Sequence, residues 1–528
     1  MSMEKFLPRL CLIAFALGLL SRLHPLVMDN ARIAQFFITE DGYLMLTVSR
    51  NFAAGLGLSV SGGEIATNGV QPLATFLFAL PYALAGGDKI LGLMGVILIS
   101  AAVSVAAAWA IWRFARAALA PQDPSPAWPL LVAALWFVAP LPLLHTMNAL
   151  ETGLYTLVLV LAVLRFGALT ARGGIFPMAD RLTFGALLGL VFLARNDGAF
   201  FVASVLFVRF VQVQVEGPAA RRLSFGQALA EAVPAGLTSL VVAAPWLVYN
   251  KLQFGSIVPI SGQSQSIAAG FGSNLGLAPE KLFETMFPML PIPAALESSA
   301  LANALLGLVV VLVLGAFLWG AMRRGGAFRA PLLAYALHGV LLFCYYALFF
   351  GAPWFLSRYF APLAPLLIVA AVSVGLDLAR RLAPARPGRL AAIAGAGALG
   401  LALLLSVRLL LPGQHVHEHF QVVDWVDAHV AEDTWVGAVQ TGTLGYWHDR
   451  TINLDGKVNP AALAALRAQG DVLDYVIDSP IQYLADWSGL AGWVDRGDAR
   501  FSEAFEVLVD EPERNLSVLR RRTAPPPL

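Results

Sequence analysis

Long apolar runs, separated by polar or basic breaks, constrain this chain more than any other feature. A helix needs about 20 mostly apolar residues to cross the hydrocarbon core of a bilayer. Runs of that order lie near 7–26, 89–112, 128–145, 150–169, 183–196, 198–214, 232–250, 300–322, 330–350, 359–379 and 389–411. With 58% hydrophobic and only 13% charged residues in a chain of 528, a water-soluble fold could not hide its apolar surface. The sequence therefore predicts a mostly α, polytopic membrane protein with about eleven transmembrane helices. The first run is flanked by Lys5 and Arg9, but the following "SRLHPLVMDN" offers no small-residue cleavage site. It is expected as an uncleaved span rather than a signal peptide. The run 72–86, "PLATFLFALPYALAG", is shorter and bounded by breakers, and is expected as a re-entrant or juxtamembrane helix.

Charge supplies the orientation. With the N-terminus in the cytoplasm, the loops on that side carry Arg113, Arg116, Arg165, Arg172, Arg181, Arg209 and the later Arg pairs, while the opposite loops hold little beyond Arg22, Arg32, Arg50, Lys251, Lys281 and Arg358. That is the positive-inside asymmetry. It puts the loop 27–88 and the C-terminal part outside. The division expected is a transmembrane domain over 1–411 and an extracytoplasmic α/β domain over 412–528. The formal net charge of +1 hides the split: residues 412–528 carry nine Lys+Arg against eighteen Asp+Glu, a balance opposite to the rest of the chain. In that second part "TWVGAV" and "DRTINLD" are expected as strands joined by a turn at "QTGTLGYW", "AALAALRAQ" as a helix, "LDYVID" as a buried strand, and "FEVLVD" with "LSVLRR" as a hairpin. Cys11 and Cys344 both sit in apolar runs, so no disulfide framework is expected.

The polar features outside the membrane are few. "ITEDGYLMLTVSRNFAAG" (38–55) opens with Thr39 as a helix cap and two acids, Glu40 and Asp41, in the first turn, where the helix dipole favours them. That placement alone explains a capped surface helix. Yet Tyr43, Thr47 and Arg50 continue one polar stripe that could line a cavity, apart from an apolar stripe of Leu44, Val48 and Phe52. "ATNGVQPL" (66–73) offers Asn68 and Gln71 around a turn, and "HTMNALETGLY" (145–155) puts His145 and Glu151 at a membrane mouth. In "LARNDGAFF" (193–201), Arg195 and Asp197 interrupt some thirty nearly continuous apolar residues, which is costly unless they pair or line a polar space. Lys251 and Arg358 are cations at the outer mouth. Singly each can snorkel to headgroups; with Arg195 they could form an anion site. "HVHEHF" (415–420) invites a metal reading through His415, His417 and His419, but it is expected to run helically into "QVVDWVDAHV".

Taken in order, "TEDGYLMLTVSRNFAAGLGL", "TNGVQPL", "ALETGLY", "LARNDG", "PWLVYNKLQFGSIVPISGQ", "SRYFAPLAPL" and "VGAVQTGTLGYWHDRTINLDGKVNP" resemble the GT-C superfamily of polytopic glycosyltransferases. In the first external loop the chain is similar to the mycobacterial arabinofuranosyltransferases. More distantly it resembles protein O-mannosyltransferases and the lipid A aminoarabinose transferase, whose acids are spaced differently and whose tails differ. The resemblance implies a sugar moved from a polyprenyl-phosphate donor to a glycan, lipid or protein acceptor outside the cytoplasmic (inner) membrane of a bacterium, with membrane lipids but no nucleic acid as partners. By position it makes Asp41, with Glu40 beside it, the essential acid, and Arg358, Arg195 and Lys251 the phosphate cations. Tyr43, Arg50, Asn68, Gln71, Glu151 and Asp197 become substrate-binding candidates.

Two chemical needs follow. The attacking hydroxyl must lose a proton, which asks for a positioned carboxylate. The departing phosphate gains charge, which asks for fixed cations or a divalent ion such as Mg or Mn. A base on the face opposite the leaving group inverts the anomeric carbon. A lipid-linked sugar transporter or flippase would instead need ionisable groups near span midplanes, and an inactive cell-envelope assembly protein would need none of the above.

Overall fold

The computed structural model describes residues 3–216, 222–290, 292–297, 299–409, 419–496, 499–522, 524 and 526. Among them nine helices are long and apolar enough to cross a bilayer, ten when the bent pair Ala127–Val138 and Pro140–Met147 counts as one span. The chain is a multi-pass membrane protein. All eleven expected runs are helical, but that at 183–196 becomes Met178–Ala194, only 17 residues and about 25 Å long. The run 72–86 forms Pro72–Leu84, 13 residues opened by a proline and about 20 Å long, too short to cross. It lies along the Glu40–Ala53 helix.

The bent pair turns by 60° at Pro140, which lacks an N–H to continue the ladder and forces Ala139 into extended backbone. The carbonyls freed there are met by Arg22, a fully buried guanidinium lying over the Phe137 ring. It donates to the Phe137 carbonyl at 2.7 Å, the Gly18 carbonyl at 3.1 Å and Thr146 Oγ1 at 3.3 Å. A cation at a helix C-terminus is favoured, and here it holds the bend that carries His145 and Asn148.

The Glu40–Ala53 helix begins where expected: Thr39 Oγ1 accepts from the Gly42 amide at 3.2 Å. Its faces are arranged differently from the expected stripes. Tyr43 is buried against Tyr446, Thr47 is buried and donates to the Tyr43 carbonyl, and Arg50 pairs with Asp449. The face open to a cavity is Asp41, Leu44 and Met45 instead. The polar stripe turned away because the C-terminal part packs there, supplying Tyr446 and Val458 to one apolar core with Leu46, Val48 and Val96.

After a short ribbon, β1 (Ser59–Val60) with β2 (Ile65–Ala66), the remaining strands form one sheet near the C-terminus. They are β3 (Val436–Ala438), β4 (Thr451–Asn453), β5 (Tyr483–Asp486), β6 (Phe505–Glu511) and β7 (Leu516–Arg521), in the order β4-β3-β5-β7-β6. β3 is parallel to both β4 and β5, while β7 is antiparallel to β5 and β6. The parallel β3–β4 pair explains one correction: "QTGTLGYW" is not a turn but contains a helix, Gly442–Trp447, because parallel strands need a crossover. "LDYVID" is also helical, over Leu473–Ile477, with the Asp471 carboxylate accepting the Leu473 amide and Leu473 and Val476 buried one turn apart. The expected helix at Pro460–Gln469 and the β6–β7 hairpin are both present.

Two glycines mark where this part meets the helical part. A Cβ on Gly442 would fall 1.8 Å from the Glu40 carbonyl oxygen, and one on Gly69 would fall 2.0 Å from that of Lys457. Backbone cannot yield as a flexible side chain can. Gly442→Ala should therefore lower stability by about 1–3 kcal/mol, the usual cost of overpacking, read as a lower thermal unfolding midpoint of the detergent-solubilised protein.

Candidate active site

Asp41 occupies the first turn of its helix and accepts from two cations brought from far along the chain. Arg358 Nη1 lies 3.1 Å from one carboxylate oxygen and Lys457 Nζ 3.3 Å from the other. Arg358 comes from the turn Leu356–Phe360, in a stretch broken by Pro353 and Pro362. Lys457 follows β4 on a loop shaped by Asp455, whose carboxylate accepts the Lys457 amide at 2.9 Å and lies 3.1 Å from its ammonium. The Asp455 carbonyl accepts from Ser264 Oγ at 2.6 Å, pinning the loop to the short helix Ile260–Gln265. Burial pushes the Asp41 carboxyl up, but Lys457 and Arg358 outweigh it and hold it below the usual carboxylate range. Burial likewise works against the Lys457 ammonium, yet Asp41 and Asp455 prevail and keep it charged.

Two cavities meet at this cluster. One, of about 330 Å³, is walled by Gln71, Glu151, Asn196, Asp197, Gln265 and Tyr359 among others. The second, of about 740 Å³, is walled by His145, Asn148, Trp354, Gln440 and Trp487 among others. Asp41, Leu150, Arg358 and Lys457 line both. In the first, Tyr346 donates to Asp197 at 2.7 Å and stacks on Tyr359 with ring centres 4.2 Å apart. Gln71 Oε1, Asn196 Oδ1 and Arg358 Nε are buried with no hydrogen-bond partner among the described residues. Three such groups among the lining of one cavity are unusual, since buried polar atoms are otherwise nearly always satisfied.

The other expected site residues divide. Gln71, Glu151 and Asp197 do line the first cavity. Arg195 reaches its wall, but its charge is committed: Nε contacts both Asp197 oxygens at 2.8 and 3.0 Å, while Nη1 and Nη2 donate to the Arg358 and Tyr359 carbonyls at 3.5 and 3.0 Å. It therefore positions the Arg358 segment, with its guanidinium shared between Asp197 and two backbone carbonyls. Lys251 is exposed and donates to the Gly255 carbonyl at the end of its own helix, outside both cavities. Tyr43 is core, as described above. Arg50 spans to Asp449 at 2.9 Å and to the Gly87 carbonyl at 3.0 Å, a clamp between chain segments. Asn68 is buried, donating to Asn250 at 3.1 Å and accepting the Ile260 amide at 3.0 Å, so it orients the Ile260–Gln265 helix and lines neither cavity. Glu40 turns toward the second cavity, where its carboxylate accepts the Gly442 amide at 2.7 Å and the Thr443 amide at 3.2 Å. It anchors the start of the Gly442–Trp447 helix. His415 and His417 lie outside the described residues. His419 sits 3.7 Å from Glu40, and burial lowers its pKa to about 4, so it is neutral there.

Lys457, which lines both cavities and contacts Asp41, is not among the site residues expected from the sequence. Nothing local to the loop "NLDGKVN" distinguishes this lysine from a solvated one.

Three of the four carboxylates lining the cavities, Glu151 being the fourth, are already engaged by protein groups. Asp41 is bound to two cations, Asp197 to Arg195 and Tyr346, and Glu40 to two amides. The acids that do converge among the described residues are Glu280, Glu284 and Glu297, none of which lines either cavity. There Lys281 Nζ sits 2.5, 3.2 and 3.9 Å from the three carboxylates and offsets part of their charge.

Burial raises the Glu40 carboxyl to about 7, against the lowering effect of the Thr443 and Gly442 contacts. A raised acid stabilises the fold fully below its ordinary value near 4.5, and that contribution is lost as pH rises through about 7. Between pH 5 and 8 the wild type should therefore lose stability relative to Glu40→Gln, by on the order of 2 kcal/mol, measured as the pH dependence of the two unfolding midpoints.

Comparison with known proteins agrees with this architecture. Residues 410–510 match a family model described as a domain of unknown function (DUF8728). No curated protein matches the sequence. Among solved structures, ArnT from Cupriavidus metallidurans bound to undecaprenyl phosphate aligns over 100% of both chains with a TM-score of 0.55 at 13% identity. The Archaeoglobus fulgidus oligosaccharyltransferase in complex with Zn and sulfate aligns over 94% of this chain and 71% of its own, with a TM-score of 0.54 at 13% identity. The same archaeal enzyme, AglB, with an inhibitory peptide and a dolichol-phosphate gives 0.52 at 13% identity over 91% and 69%. The chain thus has the fold of the GT-C polytopic membrane glycosyltransferases.

Proposed function

We propose that this protein is a glycosyltransferase that moves a sugar from a polyprenyl-phosphate donor to a glycan, lipid or protein acceptor on the outer side of the bacterial cytoplasmic membrane. One observation carries the reading: a carboxylate held between two cations at the junction of two cavities. The solved relatives in complex with undecaprenyl phosphate and dolichol-phosphate support the donor class. On this reading residues 1–411 are the membrane domain and 412–528 an extracytoplasmic domain that completes the site by contributing Lys457.

The donor phosphate enters the first cavity against Arg358 and Lys457, where Gln71 and Asn196 offer polar contacts to the sugar. The acceptor hydroxyl approaches through the second cavity. As its oxygen bonds to the anomeric carbon, the bond from that carbon to the phosphate oxygen breaks, the proton passes to Asp41, and the two cations take the charge developing on the phosphate. Attack opposite the leaving group inverts the centre.

The ion pairs add a control. With both cations on it, Asp41 is a weak base. A phosphate competing for Arg358 and Lys457 relieves that hold, so the base gains strength when the donor is bound. The charge at the leaving group is thereby met by side chains.

Asp41→Asn should leave the protein folded in membranes and cut transfer from radiolabelled polyprenyl-phosphate sugars by about 10²–10⁴-fold; near-normal turnover would sink the base assignment. Arg358→Ala and Lys457→Ala should each raise the donor concentration needed for half-maximal rate. A donor dependence identical to wild type would remove that residue from the phosphate site.

A further inference from the structure

A third cavity, of about 780 Å³, opens between the C-terminal sheet and two loops of the membrane part, with no lining residue in common with the two reaction cavities. Its walls combine the aromatic rings of Trp435, Tyr475 and Phe254 with the polar side chains of Gln263, Arg467 and Asp478, among others. Arg450 covers one face of Trp435 at 4.7 Å from its ring centre. The Tyr475 hydroxyl accepts from Asn459 at 2.9 Å and keeps its own proton to donate.

The chemistry of these walls selects among ligands. A lipid tail is disfavoured by polar side chains that it would leave unpaired. An anion would meet Asp478 and Glu64 on the same walls as Arg467, with Arg450 already 3.5 Å from Glu64. An extended peptide needs a bare sheet edge. Yet β4, the edge strand here, has its Thr451 carbonyl taken by Ser61 Oγ at 2.6 Å. A neutral saccharide matches what remains: apolar ring faces that pack on aromatics, and hydroxyls that both give and take hydrogen bonds.

We propose that this cleft is a second saccharide-binding site, separate from the reaction cavities. Two elements join it to them. The Ile260–Gln265 helix puts Ile260 and Gln263 on the cleft and Ser261, Gly262 and Gln265 on the first cavity. The loop after β4 has Asn459 on the cleft and Lys457 on Asp41. A glycan held here therefore sits against both segments that frame the reaction site. The proposal stands on the cleft alone and does not require the transferase reading.

Binding can be measured by titration calorimetry on the full chain in lipid nanodiscs. The probes are short neutral oligosaccharides of glucose, galactose, mannose, arabinose and N-acetylglucosamine. At least one should bind, Asp41→Asn should bind it as tightly as wild type, and Tyr475→Ala should weaken it about tenfold. Arg467→Ala combined with Asp478→Ala, both exposed and remote from the core, should weaken it similarly without changing the unfolding midpoint. The inference is overturned if none of these sugars binds, if binding survives both cleft variants, or if it is lost in Asp41→Asn. Sugar binding without any transfer activity would leave the cleft intact and count against the transferase reading only.

Discussion

The contact on which the rest depends is the ion cluster of Asp41, Arg358 and Lys457. Its members come from an early helix, from a broken stretch between two long membrane helices, and from the loop after β4. Each is mostly buried, and each is stabilised there by the opposite charge beside it, since an isolated buried charge is costly. Arg195 and Asp197 hold Arg358 from behind through its carbonyl, Asp455 and Ser264 hold Lys457, and Thr39 holds Asp41. Much of the polar architecture near the site exists to place three side chains.

That arrangement has an electrostatic consequence. In the resting protein Asp41 is held between two cations and has little appetite for a proton. Only a ligand that engages the cations changes this. The unpaired Nε of Arg358 on the same wall means such a ligand need not dismantle the cluster to be recognised. Glu40, one residue away, meets another fate: it faces the C-terminal part, and its neighbours are backbone amides rather than cations. Adjacent acids on a helix point about 100° apart, and that angle separates a group at the cavity junction from an anchor.

Much was legible in the residues. The apolar runs marked the membrane helices, Thr39 marked the start of the acid-bearing helix, and "RND" and "SRYF" marked breaks where charge had to be used. The failures share one cause. Tyr43, Thr47 and Arg50 do form a polar stripe, but a stripe does not say what covers it; here Tyr446 and Asp449 do. From the residues alone, Lys251, Arg195 and Arg358 could together form one anion site, with Arg358 the closest match to the family. Whether an arginine is free or spent depends on an acid two residues along folding back, as Asp197 does. "LDYVID" has the composition of a strand, yet its buried residues fall one helical turn apart.

By itself the sequence determined that this chain crosses a membrane many times, that acids gather in one loop while cations sit at helix mouths, and that a differently charged α/β part follows. These follow from the cost of burying polar groups in lipid and from local helix and strand chemistry, both readable within a short window of residues. Only the tertiary structure decided that Lys457 joins Arg358 on Asp41, that Arg195 pairs with Asp197 and the Arg358 segment, and that two cavities share that carboxylate. Those outcomes rest on contacts between residues hundreds of positions apart, and the energy of a charge is set by which other charge the fold brings beside it.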